Sequence, residues 1–339
     1  MKAAVYYSNR DVRIEEVEKP VIEEGELLIR VKASSICGSD VMEWYRKKKA
    51  PIVLGHEVTG VIEEIGRNVK GFRKGDRVFV THHVPCNECW YCGKGKETVC
   101  DTLKKTNFIP GGFAEFIRIP KINVEKGTIK LPEEVSFEEG SFIEPLGCVV
   151  RGQRIAGMKK GSNVLVLASG ISGLLHIQLA KVLGAKKIIA TDVNEYRLNA
   201  AEKFGADKAI KAGELNAEKL IELNEGRKAD LVIVCTGAKK AFTQAFESVE
   251  KGGTILLFAP TLPGESVPFP VNDVWMKGVT ITASYAAVKE DLMEAIKLIR
   301  EKKVKVKEMI THKLKLEETG KGFELVEKAE DSIKVIIYP

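Results

Sequence analysis

The chain has 339 residues, 44% hydrophobic and 29% charged, which excludes a disordered polymer and leaves room for two domains with cores of their own. Its formal charge of +6 comes from 53 basic and 47 acidic residues interleaved along the chain, so the balance points neither to nucleic acid nor to a membrane surface. The longest uncharged stretch, Ser162 to Ala180, is broken by serines, glycines, His176 and Gln178 and reads as a buried strand, turn and helix rather than a membrane span.

The opening "MKAAVYYSNRDVRIEEVEKP" carries charges at short intervals and no apolar core of signal-peptide length, so a cytoplasmic, reducing compartment is expected. Cys37 and Ser39 follow in "SSICGSD" (34–40) and His56 and Glu57 in "LGHEVTG" (54–60). Between them, Arg46-Lys47-Lys48-Lys49 reads as a solvated helix end, since consecutive helical residues point in different directions. The competing reading is a basic patch that steers a phosphorylated substrate. His82 and His83 read as structural.

Residues 84–100, "VPCNECWYCGKGKETVC", place Cys86, Cys89, Cys92 and Cys100 in a C-x2-C-x2-C-x7-C pattern. In a reducing compartment clustered cysteines more often hold metal than form disulfides. Four thiolates suit one tetrahedral zinc, and a shell of four leaves no open position, so this lobe is expected to be structural. The alternative is four reduced cysteines in a loop.

Further on, Glu144 lies in "FIEPLGC" (142–148). Singly, these residues have ordinary explanations: a buried cysteine, a core histidine, a carboxylate at a helix start. Together Cys37, His56, Glu57 and Glu144 offer one sulfur, one nitrogen and two oxygens, enough for a zinc that keeps an exchangeable position.

From Asn163 to Asp192 the order is an apolar strand "NVLVL", the turn "ASGISG", a helix "LLHIQLAKVLG" and a strand "KIIATD", a βαβ unit of dinucleotide-binding type. Gly170 and Gly173 fill the last two glycine positions of the fingerprint, with Ile171 and Ser172 between them at the helix start, whose N–H groups suit phosphate. Ala168 stands at the first glycine position and is expected to keep a negative φ. Asp192 ends the second strand, where its carboxylate accepts ribose hydroxyls and repels a 2′-phosphate. That favours NAD, with Arg197 keeping NADP open. A helix is predicted over 195–204, strands over 229–238 and 252–260, and another helix from Lys289 to Lys302. Thr236 and Ala259, at the carboxyl ends of these strands, are expected to border the nicotinamide.

In this order "GHE…G", the four-cysteine lobe, "EPL" and the nucleotide turn resemble, over nearly the whole chain, the zinc-dependent medium-chain alcohol dehydrogenases. Glu144 makes the chain most similar to the polyol (sorbitol) and threonine dehydrogenase branches. The resemblance implies an α/β fold. Residues 1–148 would form a GroES-like distorted β-barrel catalytic domain, 149–282 a Rossmann domain with a doubly wound parallel sheet, and 283–339 a return to the catalytic domain. It implies two zinc ions per chain. Cys37 and His56 would hold the catalytic one, with Glu57 and Glu144 as direct, alternating or water-mediated partners, and Ser39 would start the proton relay. Met42 stands where many relatives carry a relay histidine, and Ala286 and Ala287 where sorbitol dehydrogenases clamp substrate with an Arg-Tyr pair. The expected activity is oxidation of a secondary alcohol, a polyol, cyclitol or amino-cyclitol, to its ketone with NAD, in a homotetramer or homodimer with its active site between the domains. The alternatives are a dehydrogenase of threonine, another amino-alcohol or a simple secondary alcohol, and a nucleotide-binding regulatory protein without turnover.

Overall fold

The strand Leu27–Ser35 is buried except at Arg30 and Lys32, as befits an antiparallel sheet covered over most of its area. The computed structural model, which describes residues 1–339, places that strand at the centre of the first of two units. This unit comprises Met1–Gly147, Ala287–Glu301 and Val306–Pro339. Its larger sheet runs Ile310–Lys315, Lys334–Tyr338, Leu27–Ser35, Glu57–Ile65, Arg77–Thr81, Thr128–Lys130, with Phe116–Ile119 also paired to Leu27–Ser35. A smaller antiparallel sheet joins Asp11–Glu16, Lys2–Ser8 and Ile52–Val53. One apolar cluster packs Tyr6, Phe113, Phe323 and Ile337. A second fills the space around Leu27, Ile29, Val58, Val78 and Phe108.

Three strand ends of the larger sheet meet at one place. Ser35 at the end of Leu27–Ser35 is the register partner of Glu57 at the start of Glu57–Ile65. It is also the partner of Ile336 in Lys334–Tyr338. The register therefore brings residues 35–37, 56–57 and 334 together from sequence positions up to three hundred apart.

The second unit comprises Cys148–Ala286 and Lys302–Lys305. Its strand Asn163–Leu167 is buried at every residue, the mark of a parallel sheet covered on both faces. Six parallel strands lie in the order Lys208–Lys211, Lys187–Asp192, Asn163–Leu167, Ala229–Val234, Val249–Leu257, Thr280–Ala283. In chain order this is 3-2-1-4-5-6, and ligands of such sheets bind at the carboxyl ends where the order reverses. The expected helices appear as Glu195–Lys203 and Lys289–Arg300. No helix is long and apolar enough to cross a membrane.

One backbone expectation is overturned. Ala168 has φ +75°, left-handed rather than negative, a conformation that costs an L-residue about 1–2 kcal/mol. Neighbouring bonds hold it there: Ser169 N donates to Asp192 Oδ2 at 2.8 Å, and Ser169 Oγ to the Thr191 carbonyl at 3.1 Å. Position 168 therefore makes the tight turn that a glycine would make, without glycine's freedom. Gly173 faces the other side of the same turn, and a Cβ placed on it would lie 2.1 Å from the Ala168 carbonyl oxygen.

Gly173→Ala should therefore destabilise the protein by about 1–3 kcal/mol through overpacking, seen as a lower midpoint of thermal unfolding. Ala168→Gly should stay within about 1 kcal/mol of the parent, because relief of the left-handed φ offsets glycine's larger unfolded-state entropy. A Gly173→Ala protein as stable as the parent would show that the turn and helix do not pack as described.

Candidate active site

Gly55 precedes His56 with φ +93°, and a Cβ there would lie 2.9 Å from the Phe113 amide nitrogen. This bend delivers His56 and Glu57 side by side into the interior, 8% and 0% exposed. Cys37 enters on the turn that follows Leu27–Ser35. The ligand atoms of Cys37, His56 and Glu57 all lie within 4.8 Å of one another. Glu144 is not one of the three; it is half-buried in the first turn of the helix Ile143–Ile155.

Around this cluster stands a second layer that sequence reading missed. Asp40, fully buried, accepts the Cys37 amide at Oδ2 (3.0 Å), and its Oδ1 lies 3.3 Å from His56 Nδ1. That leaves Nε2 as the nitrogen available to a metal. Burial would raise the Asp40 carboxyl, yet the charges of His56 and Arg46 and the Cys37 N–H hold it below the usual range. For His56, burial is outweighed by the negative charge of Asp40 and Cys37, which holds the ring well above its ordinary pKa. Such a field favours a cation at the imidazole, whether a proton or a metal ion.

Glu57 divides its two oxygens. Oε2 accepts from Ser35 Oγ and from the ammonium of Lys334, itself 1% exposed. Oε1 is buried with no hydrogen-bond partner. A buried carboxylate oxygen left unpaired beside a thiol and an imidazole is the donor set of a zinc site with one sulfur. His82 packs against His56 with ring centroids 4.8 Å apart and against His83 at 3.8 Å. Burial, then the neighbouring histidines, push His82 well down, and burial first of all takes His83 to about 4. Both rings are therefore neutral at physiological pH and wall the cluster without adding charge.

The four-cysteine lobe passes an independent geometric test. Its sulfurs lie 3.5 Å (Cys89–Cys92), 3.6 Å (Cys100–Cys86) and 3.9 Å (Cys86–Cys92) apart. A regular tetrahedron with zinc–sulfur bonds of about 2.3 Å has edges of about 3.8 Å. Against the effect of burial, amides led by those of Cys86 and Leu103 bring the Cys100 thiol down to about 6, and the Glu88 and Cys89 amides lower Cys86. Burial, then the neighbouring thiols, push Cys92 up to about 12. A divalent cation removes that conflict by taking all four as thiolates.

In the second unit Gly170 caps the helix Ile171–Val182. A Cβ on it would meet only the Arg197 guanidinium, at 3.7 Å, so the turn is open for a ligand to approach, with half-buried Ile171 and Ser172 beside it. Asp192 is held by the Ser169 amide on Oδ2 and the Asn194 amide on Oδ1 (2.9 Å). Each oxygen keeps a lone pair for a sugar hydroxyl. Thr236 and Ala259 follow the strands Ala229–Val234 and Val249–Leu257 at their carboxyl ends. The half-buried Cys235 thiol is pushed far up by desolvation, as suits a packing residue.

Arg46 departs from its sequence reading. Lys47, Lys48 and Lys49 form an exposed 3-10 turn, but Arg46 folds inward onto Ser39 and Asp40.

Residues 23–133 match the alcohol dehydrogenase GroES-like domain, and residues 172–301 match the zinc-binding dehydrogenase domain. An L-threonine 3-dehydrogenase of Bacillus licheniformis is 35% identical over 333 residues, 94% of this chain and 93% of its own. A probable D-xylulose reductase A of Aspergillus clavatus is 34% identical over 325 residues, 92% and 89% of the two chains. A solved structure from Escherichia coli CFT073, described as a short chain alcohol dehydrogenase complexed with cofactor NADH, superposes with a TM-score of 0.90. It is 27% identical and covers 100% of this chain and 99% of that one.

With two separate donor sets, Cys37→Ser should lose one of two zinc ions and the activity while its unfolding midpoint stays near the parent's. Cys100→Ser should lose the other ion together with stability. Metal analysis beside thermal unfolding reads both, and a Cys100→Ser protein of full stability and metal content would contradict the structural assignment.

Proposed function

The chain belongs to the zinc-binding alcohol dehydrogenase family, and from that membership we propose that it oxidises a secondary hydroxyl of a polyol, cyclitol or amino-cyclitol to the ketone with NAD. The observation that carries this reading is the cluster of Cys37, His56 and Glu57, with one carboxylate oxygen left unpaired. When bound, zinc supplies the Lewis acidity that favours loss of the hydroxyl proton, and NAD takes up the hydride.

The chain's own residues do the rest. Cys37, His56 and Glu57 Oε1 would hold the metal, and Asp40 keeps the imidazole in orientation. Glu144 is assigned the role of an exchangeable partner. Ser39 takes the proton of the alcohol. Asp192 accepts the ribose hydroxyls and its charge repels a 2′-phosphate, which supports NAD over NADP. The N-terminus of Ile171–Val182, between Gly170 and Gly173, receives the pyrophosphate.

The substrate class follows from donor chemistry. A site with one sulfur and carboxylate oxygens is harder than one with two sulfurs and suits oxygen-rich substrates. Ala286 and Ala287, in place of the Arg-Tyr clamp of sorbitol dehydrogenases, offer no hydrogen bonds to hold an open chain, which favours a ring or a branched polyol. The similarity to a threonine dehydrogenase and to a xylulose reductase supports a carbinol flanked by polar groups. The threonine relative also favours a second reading, a hydroxyl beside an amine.

A panel of vicinal diols, cyclitols, amino-alcohols including L-threonine, and ethanol, assayed with NAD and NADP, tests the proposal. The expected result is the highest kcat/KM for a vicinal diol or cyclitol with NAD, with ethanol poorest for want of the extra polar contacts. L-Threonine as best substrate would move the assignment to the second reading. Ethanol above every diol, or a preference for NADP, would contradict it.

A further inference from the structure

We propose that Arg46 is a positioning residue that fixes the direction in which the Ser39 hydroxyl carries a proton. The proposal rests on the dehydrogenase reading above, in which Ser39 takes the proton of the alcohol.

Arg46 ends the short helix Glu43–Arg46. Its Nε donates to the Ser39 carbonyl at 2.9 Å and its Nη2 to Ser39 Oγ at 3.1 Å. The same Nη2 stands 3.5 Å from Asp40 Oδ1, and the guanidinium carbon lies 4.7 Å from the centre of the Tyr45 ring. The side chain is only 15% exposed, so these contacts are shielded from water as those of Lys47–Lys49 are not. Two bonds to one residue, one to its backbone and one to its side chain, fix both the place and the rotamer of Ser39.

A guanidinium has five N–H donors and no acceptor. One lone pair of Ser39 Oγ is therefore taken by Arg46, and the serine's own O–H cannot point that way. One lone pair remains for the alcohol's proton, and one O–H remains to send a proton on. In oxidation the alcohol O–H breaks as a new O–H forms on Ser39, whose original proton passes to solvent water. The C–H electron pair leaves as hydride to the oxidised nicotinamide. One alcohol thus gives one ketone, one reduced nicotinamide and one proton. Met42, at the place of a relay histidine, offers only a weakly accepting thioether and cannot orient the serine. Donation from a charged group also polarises the Ser39 O–H, which eases release of its original proton to water as the alcohol's proton arrives.

The test is a double-mutant cycle in the zinc-loaded enzyme: Arg46→Met, Ser39→Ala and the pair, with Arg46→Lys for rescue. The readouts are the first-turnover rate of nicotinamide reduction, KM, zinc content and unfolding midpoint. Arg46→Met should slow the first turnover by about tenfold to a hundredfold, within the range of a proton-transfer effect, with KM and zinc content near the parent's. Arg46→Lys should recover most of the rate. In the Ser39→Ala background the same Arg46→Met change should have less than about a twofold effect, because coupled residues are not additive. Arg46→Gln gives the same contrast should Arg46→Met fold poorly.

Equal losses in both backgrounds, or loss of zinc from Arg46→Met through Asp40, would overturn the role of Arg46 and leave the dehydrogenase reading standing. Ser39→Ala at full rate would overturn the role of both residues. A wild-type enzyme without alcohol oxidation would overturn the functional reading itself, and this proposal with it.

Discussion

Everything at the site turns on one buried carboxylate held from one side by a buried ammonium. Glu57 has no access to water, and a lone buried carboxylate is not tolerated without partners. Lys334 and Ser35 take one of its oxygens; the other has no partner, and the carboxylate lies within 4.8 Å of the Cys37 and His56 ligand atoms. The unpaired oxygen suits a further positive charge on that side. Removing one partner of a buried pair costs about 3–5 kcal/mol, so the junction of the strands Leu27–Ser35, Glu57–Ile65 and Lys334–Tyr338 is bound to the electrostatics of the site. Strand register and the placement of these candidate ligands are here the same constraint.

A comparable economy governs the nucleotide turn. Asp192 accepts the Ser169 amide from behind and keeps lone pairs for a ligand, so one side chain both shapes the turn and leaves acceptors open beside it. The left-handed Ala168 depends on that support, since strained backbone persists only where its surroundings overdetermine it. Two local departures from ideal geometry, an alanine at φ +75° and a glycine whose Cβ position is already filled, together bring the helix end up to the sheet.

The sequence was most legible where chemistry is local. Four cysteines within fifteen residues announce a common ligand by spacing alone, and the turn after "NVLVL" announces a dinucleotide site through period and glycine. The parallel strands were readable because both faces are buried, which writes apolar runs into the sequence. What could not be read depends on register across distance. Nothing near Lys334 in "SIKVIIYP" marks it as the partner of a residue 277 positions earlier. Asp40 was within reach, three residues from Cys37, but a buried carboxylate orienting a histidine looks in sequence like any loop aspartate. Arg46 was hidden by its neighbours: a run of four basic residues suggests one solvated patch, while its first member points inward. The sign of φ at Ala168 is not legible in the sequence, because the residue type argues one way and the hydrogen bonds of Ser169 the other.

The two donor sets call for two zinc ions in chemically different shells, one of four sulfurs and one of a single sulfur with nitrogen and oxygen. Zinc-edge X-ray absorption on the loaded protein reads this most directly, because it reports the average first shell without reference to turnover. The expected result is two ions per chain and an average of about two to three sulfurs per zinc, with bonds of about 2.3 Å, the remainder being nitrogen and oxygen at about 2.0–2.2 Å. A shell of four sulfurs alone, with one ion per chain, would contradict it.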